Sequence, residues 1–183
     1  MHSPKAFFLP RFPDKRGEVM EVYHREHLHN TIGCDPTFVQ DIIARSSHQV
    51  LRGLHYQLTE PQGKLVTLIE GGILDVAVDL RLDSAQFLTV YRFPLESHGE
   101  FNSVWIPEGF AHGYLVTSTT ALVHYKVTRH RNPEAERQIL WSDPALRIEW
   151  PVQTPILSIA DQNATTLEVA LEEIRAYAVA KHQ

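Results

Sequence analysis

KLVTLIEGGILDVAVDL, residues 64–80, holds two short apolar runs on either side of Glu70, Gly71 and Gly72. The second run alternates Leu74, Val76, Val78 and Leu80 against Asp75, Ala77 and Asp79. A period of two belongs to a strand, whose successive side chains point to opposite faces. The alternation predicts one packed face and one polar face.

The same texture extends in both directions. F38-V-Q-D-I-I43 lies upstream, and F87-L-T-V-Y91, G113-Y-L-V116 and A121-L-V-H-Y-K-V127 follow, all separated by turn residues. Between Val19 and Trp141 no helix-length pattern interrupts them, which predicts an all-β sandwich or barrel. The gaps are shorter than a parallel crossover needs, so the pairing is largely antiparallel. The ending differs. T165-T-L-E168 has capping-box spacing, and Leu167, Leu171 and Ile174 form one stripe of a helix with Glu168, Glu172, Glu173 and Arg175 turned to water. The segment 151–155, a proline at each end, separates a barrel of about 14–150 from a tail and C-terminal helix at 151–183. The whole of 1–183 is read as one domain.

Composition narrows the function classes. A net charge of -5 argues against non-specific binding to nucleic acid or anionic lipid, both of which call for a basic face. Cys34, the single cysteine, cannot form an intrachain disulfide and points to a reducing cytoplasm. The opening MHSPKAFFLP has too short an apolar run for a signal peptide, and no segment approaches the ~20 apolar residues of a membrane span.

Three stretches carry chemistry. L51-R-G-L-H-Y-Q57 and G63-K-L-V66 place Arg52, His55 and Lys64 within thirteen residues. Two cations around an imidazole suit an anionic substrate that must lose or gain a proton. A basic surface strand with one buried histidine is the competing reading. In W105-I-P-E-G-F-A-H-G113 a turn at Pro107 and Gly109 aims His112 toward a barrel mouth. In H124-Y-K126, alternation sends Tyr125 with Val123 and Val127 to the packed face, where a phenol needs a partner or a task. Regular alternation in 51–57 puts His55 and Gln57 on one face and Arg52 on the other, unless Gly53 permits a bulge.

Taken together, R52-G-L-H-Y-Q57, Q62-G-K-L-V66, D75-V-A-V-D-L-R81, W105-I-P-E-G-F-A-H-G113, Tyr125-Lys126, Trp141-Ser-Asp-Pro144 and Ile148-Glu-Trp-Pro151 resemble the dTDP-4-dehydrorhamnose 3,5-epimerase family. The match runs in order from about Asp14 to Asp161. It implies a cupin-type jelly roll, a homodimer, no metal or cofactor, and epimerisation beside the ketone of a nucleotide-linked 4-keto-6-deoxy sugar; the sequence pattern adds the short C-terminal helix to that roll. By the same resemblance His55 is the base, Asp161 in L157-S-I-A-D161 orients it, Tyr125 is the proton donor and Lys64 stabilises the oxyanion at O4. Arg52 and His112 contact substrate, and Arg16, Glu21, Gln40, Asp41 and Glu136 match nucleotide- or sugar-binding positions. Part of the N-terminal region would complete the neighbour's site.

The chain departs from the family's pattern at Ile42, at Glu18 and Val19, at S84-A-Q-F-L88, at Ala160 and at T128-R-H-R131, where Arg131 or His130 takes the place of a base-stacking aromatic. The catalytic set is kept while the nucleotide-facing set drifts. Three other readings stay open: an epimerase acting at C3 or C5 only, a non-catalytic sugar-nucleotide-binding protein, and a metal-dependent cupin. The last lacks the H-x-H of metal-binding cupins, since the second histidine is Gln57.

Overall fold

The computed structural model describes residues 3–181; the outermost residues of the 1–183 span, including the first two of MHSPKAFFLP, lie outside it. In chain order come β1 (Lys5–Phe7), β2 (Arg11–Asp14), β3 (Gly17–Met20), α1 (Arg25–Ile32), β4 (Gln40–Ser47), β5 (Leu51–Gln57), β6 (Lys64–Glu70) and β7 (Gly72–Asp79). There follow β8 (Val90–Glu96), β9 (Ser103–Ile106), β10 (Phe110–Val116), β11 (Thr120–Val127), β12 (Glu136–Gln138), α2 (Ile159–Gln162) and α3 (Leu167–Lys181). Two five-stranded antiparallel sheets, ordered β1-β9-β6-β11-β4 and β12-β5-β10-β7-β8, form a sandwich, and β2-β3 is a separate hairpin. No helix of the described residues is long and apolar enough to cross a membrane.

The two opening strands, β6 and β7, belong to different sheets. The link between them is therefore a crossover. Gly71 adopts φ +92°, and a Cβ there would lie 2.1 Å from the Thr120 carbonyl oxygen, so a side chain would block the passage.

Alternation sorts the apolar residues into three layers. Between the sheets pack Val66, Leu68, Ile73, Ala77, Val104, Ile106, Tyr114 and Val123. The outer face of the second sheet, with Leu54, Val76, Val78 and Ala111, is covered by Leu167, Ala170 and Leu171 of α3, with Ile174 against them. The outer face of the first sheet, with Leu65 and Trp105, is covered by Leu28 and Ile32 of α1.

Several expectations need correction. The Asp75, Ala77, Asp79 face is as buried as its opposite, because it is turned inward between the sheets. Phe87 and Leu88 form a turn, with Leu88 at φ +62°, and the strand begins at Val90. α1 stands where the sequence predicts no helix: two turns with two buried residues are too short to register as a period, though Gly33 closes it in a left-handed conformation, φ +75°. α3 begins one residue later than T165-T-L-E168 implies. Thr165 bridges to Ile139, and Thr166 accepts from Val169 N and Ala170 N. Glu173 is ion-paired with Arg137 at 2.7 Å, so it does not simply face water.

Candidate active site

The interior between the sheets is apolar at one end and polar at the other. His55 on β5 stands directly beside His112 on β10, on the inner face of the second sheet. From the first sheet opposite, Tyr125 on β11 points inward beside Val123 and Val127, its ring centre 6.2 Å from that of His112 and edge-on to it. Lys64 pairs across from Val127, on the same inner face as Tyr125. Imidazole and phenol thus project from opposite walls.

β5 does not alternate regularly. Its pairing with β10 runs His55 to His112 and Arg52 to Tyr114, three steps on one strand against two on the other. The bulge falls at Gly53, φ +115°, where a Cβ would lie 2.6 Å from the Gly113 Cα. Its consequence is that Arg52 and His55 share the inner face.

α2 delivers Asp161. Its N-cap Ser158 accepts from the Asp161 N–H at 3.1 Å and donates to Oδ2 at 2.7 Å, which holds the carboxylate from behind. Oδ1 lies 2.5 Å from His55 Nε2. Burial pushes the Asp161 carboxyl up, but hydrogen bonds from His55 and Ser158 outweigh it and hold the group below its ordinary value. An ionised carboxylate only accepts, so Nε2 carries the hydrogen, and in the neutral imidazole Nδ1 is the nitrogen that holds the lone pair. The Asp161 side chain is 3% exposed and that of His55 31%, so the dyad is anchored inside while the imidazole stays reachable.

His112 is buried and 2.8 Å from Asp75 Oδ2, and burial lowers its pKa more than Asp75 raises it. Asp75 joins the site without a signal in the sequence; its partner across the sheet can be inferred only once β7 and β10 are known to be neighbours. Lys64 is half-buried. Burial lowers its pKa to about 8, against the pull of Asp75 and Glu136. Burial likewise raises the Tyr125 phenol well above its ordinary value, with Tyr114 and Asp75 adding to it.

Other expected residues fall into three groups. Arg131 pairs with Glu136 at 2.5 Å and its backbone N–H donates to Gln40, so these three meet at the rim, where a pocket of about 260 Å³ is lined by His130 and Arg131. Asp41 lies on the outer face of the first sheet, bonded to Lys126 at 2.8 Å and His124 at 2.9 Å, because its cross-strand partner is Lys126 and not Tyr125. The structure does not bring it to the interior. Arg16, at the tip of the β2-β3 hairpin, contacts Asp14, and Glu21 just beyond is exposed; neither meets the interior of its own chain. A separate cavity of about 410 Å³ runs from Lys64 and Gln57 to Tyr177 and Lys181 of α3, without His55 or Tyr125 in its lining. Among the described residues no three His, Cys, Asp or Glu side chains converge as a metal-ligand group.

The arrangement can remove a proton on one side of a bound molecule and deliver one on the other, beside a cation suited to a developing oxyanion. A family profile described as dTDP-4-dehydrorhamnose 3,5-epimerase matches residues 5–169. A dTDP-4-dehydrorhamnose 3,5-epimerase of Shigella flexneri is 46% identical over 159 residues, 85% of this chain and 87% of that protein. A dTDP-4-dehydrorhamnose 3-epimerase of Streptomyces niveus is 33% identical over 86% of this chain and 76% of its own. The crystal structure of dTDP-6-deoxy-D-glucose-3,5-epimerase from Legionella pneumophila, in complex with dTDP-4-keto-L-rhamnose, superimposes with a TM-score of 0.84 at 39% identity, covering 91% of this chain and 88% of that one.

Proposed function

Since the chain belongs to the dTDP-4-dehydrorhamnose 3,5-epimerase family, we infer that it is a cofactor-independent isomerase that inverts C3 and C5 of a dTDP-linked 4-keto-6-deoxy sugar. The hydrogens on C3 and C5 flank the C4 carbonyl, so losing either leaves an enolate. His55 Nδ1 takes the proton, and Asp161 stabilises the imidazolium that results. Lys64 meets the negative charge at O4. Tyr125 then gives its proton to the opposite face of the same carbon, and turning the ring presents the second carbon to the same pair. The observation that carries this reading is the placement of the His55-Asp161 dyad and Tyr125 on facing walls of one interior.

His112 and Arg52 are assigned to the sugar and diphosphate. Gln40, Glu136 and Arg131 are assigned to the nucleoside, with Arg131 or His130 stacking on the base. Arg16 and Glu21 reach no site in their own chain, which supports a homodimer in which each hairpin completes the neighbour's chamber. Asp41 on the outer face then acts on that N-terminal arm. A nucleotide-sugar substrate and a lone cysteine fit a cytoplasmic setting.

Incubation in D2O with dTDP-4-keto-6-deoxyglucose should place deuterium at both C3 and C5, and His55→Ala should abolish it. Label at one carbon only would reassign the protein to the single-centre epimerases. Unchanged exchange in the variant would remove His55 as the base.

A further inference from the structure

Lys64 is the first residue of β6, so the strand ladder holds its backbone from one side only. It pairs with Val127 of β11 and with Ile106 of β9, and Gly63 before it lies outside the strand. The next step outward sets Gly63 against Thr128, and there the pairing is half regular. The Thr128 N–H donates to the Gly63 carbonyl oxygen at 3.1 Å. A hydrogen-bonded antiparallel pair returns that bond from backbone to backbone, but here the Gly63 N–H donates to Thr128 Oγ1 at 2.9 Å. A hydroxyl thus stands in for a carbonyl where the two backbones part. Its own hydrogen goes to Glu108 Oε1 at 2.8 Å, in the turn that leads to β10 and His112. Thr128 is 3% exposed and Gly63 is buried, so solvent offers little in place of these bonds. The packing around Gly63 is close: a Cβ there would lie 2.7 Å from Trp105 Cη2 and 3.2 Å from Glu108 Cδ. Beside this pair Gln62 Nε2 donates to the Arg129 carbonyl oxygen at 2.7 Å, a second tie between the same two segments.

We propose that Thr128 is a positioning residue for Lys64: its hydroxyl, braced by Glu108, fixes the start of β6 and with it the point from which the Lys64 side chain enters the chamber. Without that hydroxyl the Gly63 N–H has no acceptor in Thr128, and a buried donor left unpaired drives the strand end to shift until it finds one. Lys64 is the next residue and moves with it. A cation that meets charge developing at O4 acts only from the right place, so the loss falls on the chemical step and not on binding. The assignment rests on Lys64 being the oxyanion-stabilising cation of the proposed epimerase.

Thr128→Val keeps the volume and removes the hydroxyl, whereas Thr128→Ser keeps the hydroxyl. Both are assayed with dTDP-4-keto-6-deoxyglucose at a temperature where thermal melts show them folded. Thr128→Val should lower kcat about tenfold to a hundredfold with KM nearly unchanged, and Thr128→Ser should restore most of the loss. Glu108→Ala, which frees the hydroxyl without removing it, should lower kcat in the same direction by less. The alkaline limb of kcat/KM near 8 should move upward in Thr128→Val, because a loosened Lys64 regains water and shifts toward the ordinary lysine value. In a Lys64→Met background Thr128→Val should cost no further activity, since both changes act through one side chain. A lowered Tm with kcat and the limb unchanged would overturn the proposal and leave Thr128 a structural residue. A loss as large in the Lys64→Met background as in the wild type would overturn it too. Should Thr128→Val not fold, the same comparison of limb and background made on Glu108→Ala decides. Absence of deuterium exchange in the wild type would instead remove the proposed function, and this assignment with it.

Discussion

Lys64 changes charge near pH 8, inside the range in which such an enzyme is assayed. Desolvation lowers its pKa, which means that the charged form is disfavoured in the native state. That cost is present in full below about 8 and is relieved as pH rises toward the ordinary lysine value of about 10.4. Lys64→Met should therefore raise Tm at pH 7 while lowering kcat/KM by about 10²–10³, read from thermal melts and initial rates on one preparation. In the wild type kcat/KM should fall on an alkaline limb near 8, and Lys64→Arg should move that limb upward because guanidinium stays charged. Asp161 has the opposite sign. Its lowered pKa contributes stability above the ordinary carboxyl value, lost as pH falls through the native one. Asp161→Asn should flatten the dependence of Tm on pH below about 4 and reduce kcat by on the order of 10²–10⁴. Tyr125 was legible in sequence because the period of its strand sends it to the packed face, whereas His55 and Lys64 were joined to it only by the family resemblance. Asp75 was not legible, because its partner His112 is brought to it only by sheet order.

Strands were legible where alternation held, as in 64–80 and 121–127, and illegible where one residue breaks the period. The bulge at Gly53 is such a break, and it decides whether Arg52 joins the site. Gly53→Ala would press a methyl into β10 at 2.6 Å, against backbone that cannot retreat without moving His112. It should lower the urea midpoint and uncouple Arg52 from His55, raising KM and lowering kcat together. Leu171→Ala tests the second sheet from outside. Leu171 is buried on the sheet-facing side of α3, in one cluster with Leu54 and Val78, so truncation should cost about 2–5 kcal/mol. At a temperature where the variant stays folded, its kcat should be that of the wild type, since α3 covers the face opposite to His55. The helix stripe that locates Leu171 was readable because Leu167, Leu171 and Ile174 recur along it just after a capping-box spacing; α1 offered only Leu28 and Ile32.

At the scale of the whole molecule, surface left bare by one chain needs an account. Phe12 and Val19 on the β2-β3 hairpin are 57% and 66% exposed, and Ile43 on the edge strand β4 is 67% exposed. The hairpin is tied to its own sheet through Arg11, which pairs with Glu18 and donates to the Ile69 carbonyl oxygen. Its tip, bearing Arg16, is left reaching away. A hairpin with exposed Phe12 and Val19 and an unpaired strand edge on one chain are features of the kind that a two-fold dimer covers. If the neighbour's Arg16 completes the chamber, then Arg16→Ala and His55→Ala damage different halves of one site. Mixed as unfolded chains and refolded together at equal amounts, the two inactive variants should recover about a quarter of wild-type activity, because half of the dimers are mixed and each mixed dimer holds one intact chamber. Sedimentation of the mixture should show dimers throughout. Recovery that fails although mixed dimers form would place Arg16 at its own chain's surface, with no part in catalysis by its neighbour.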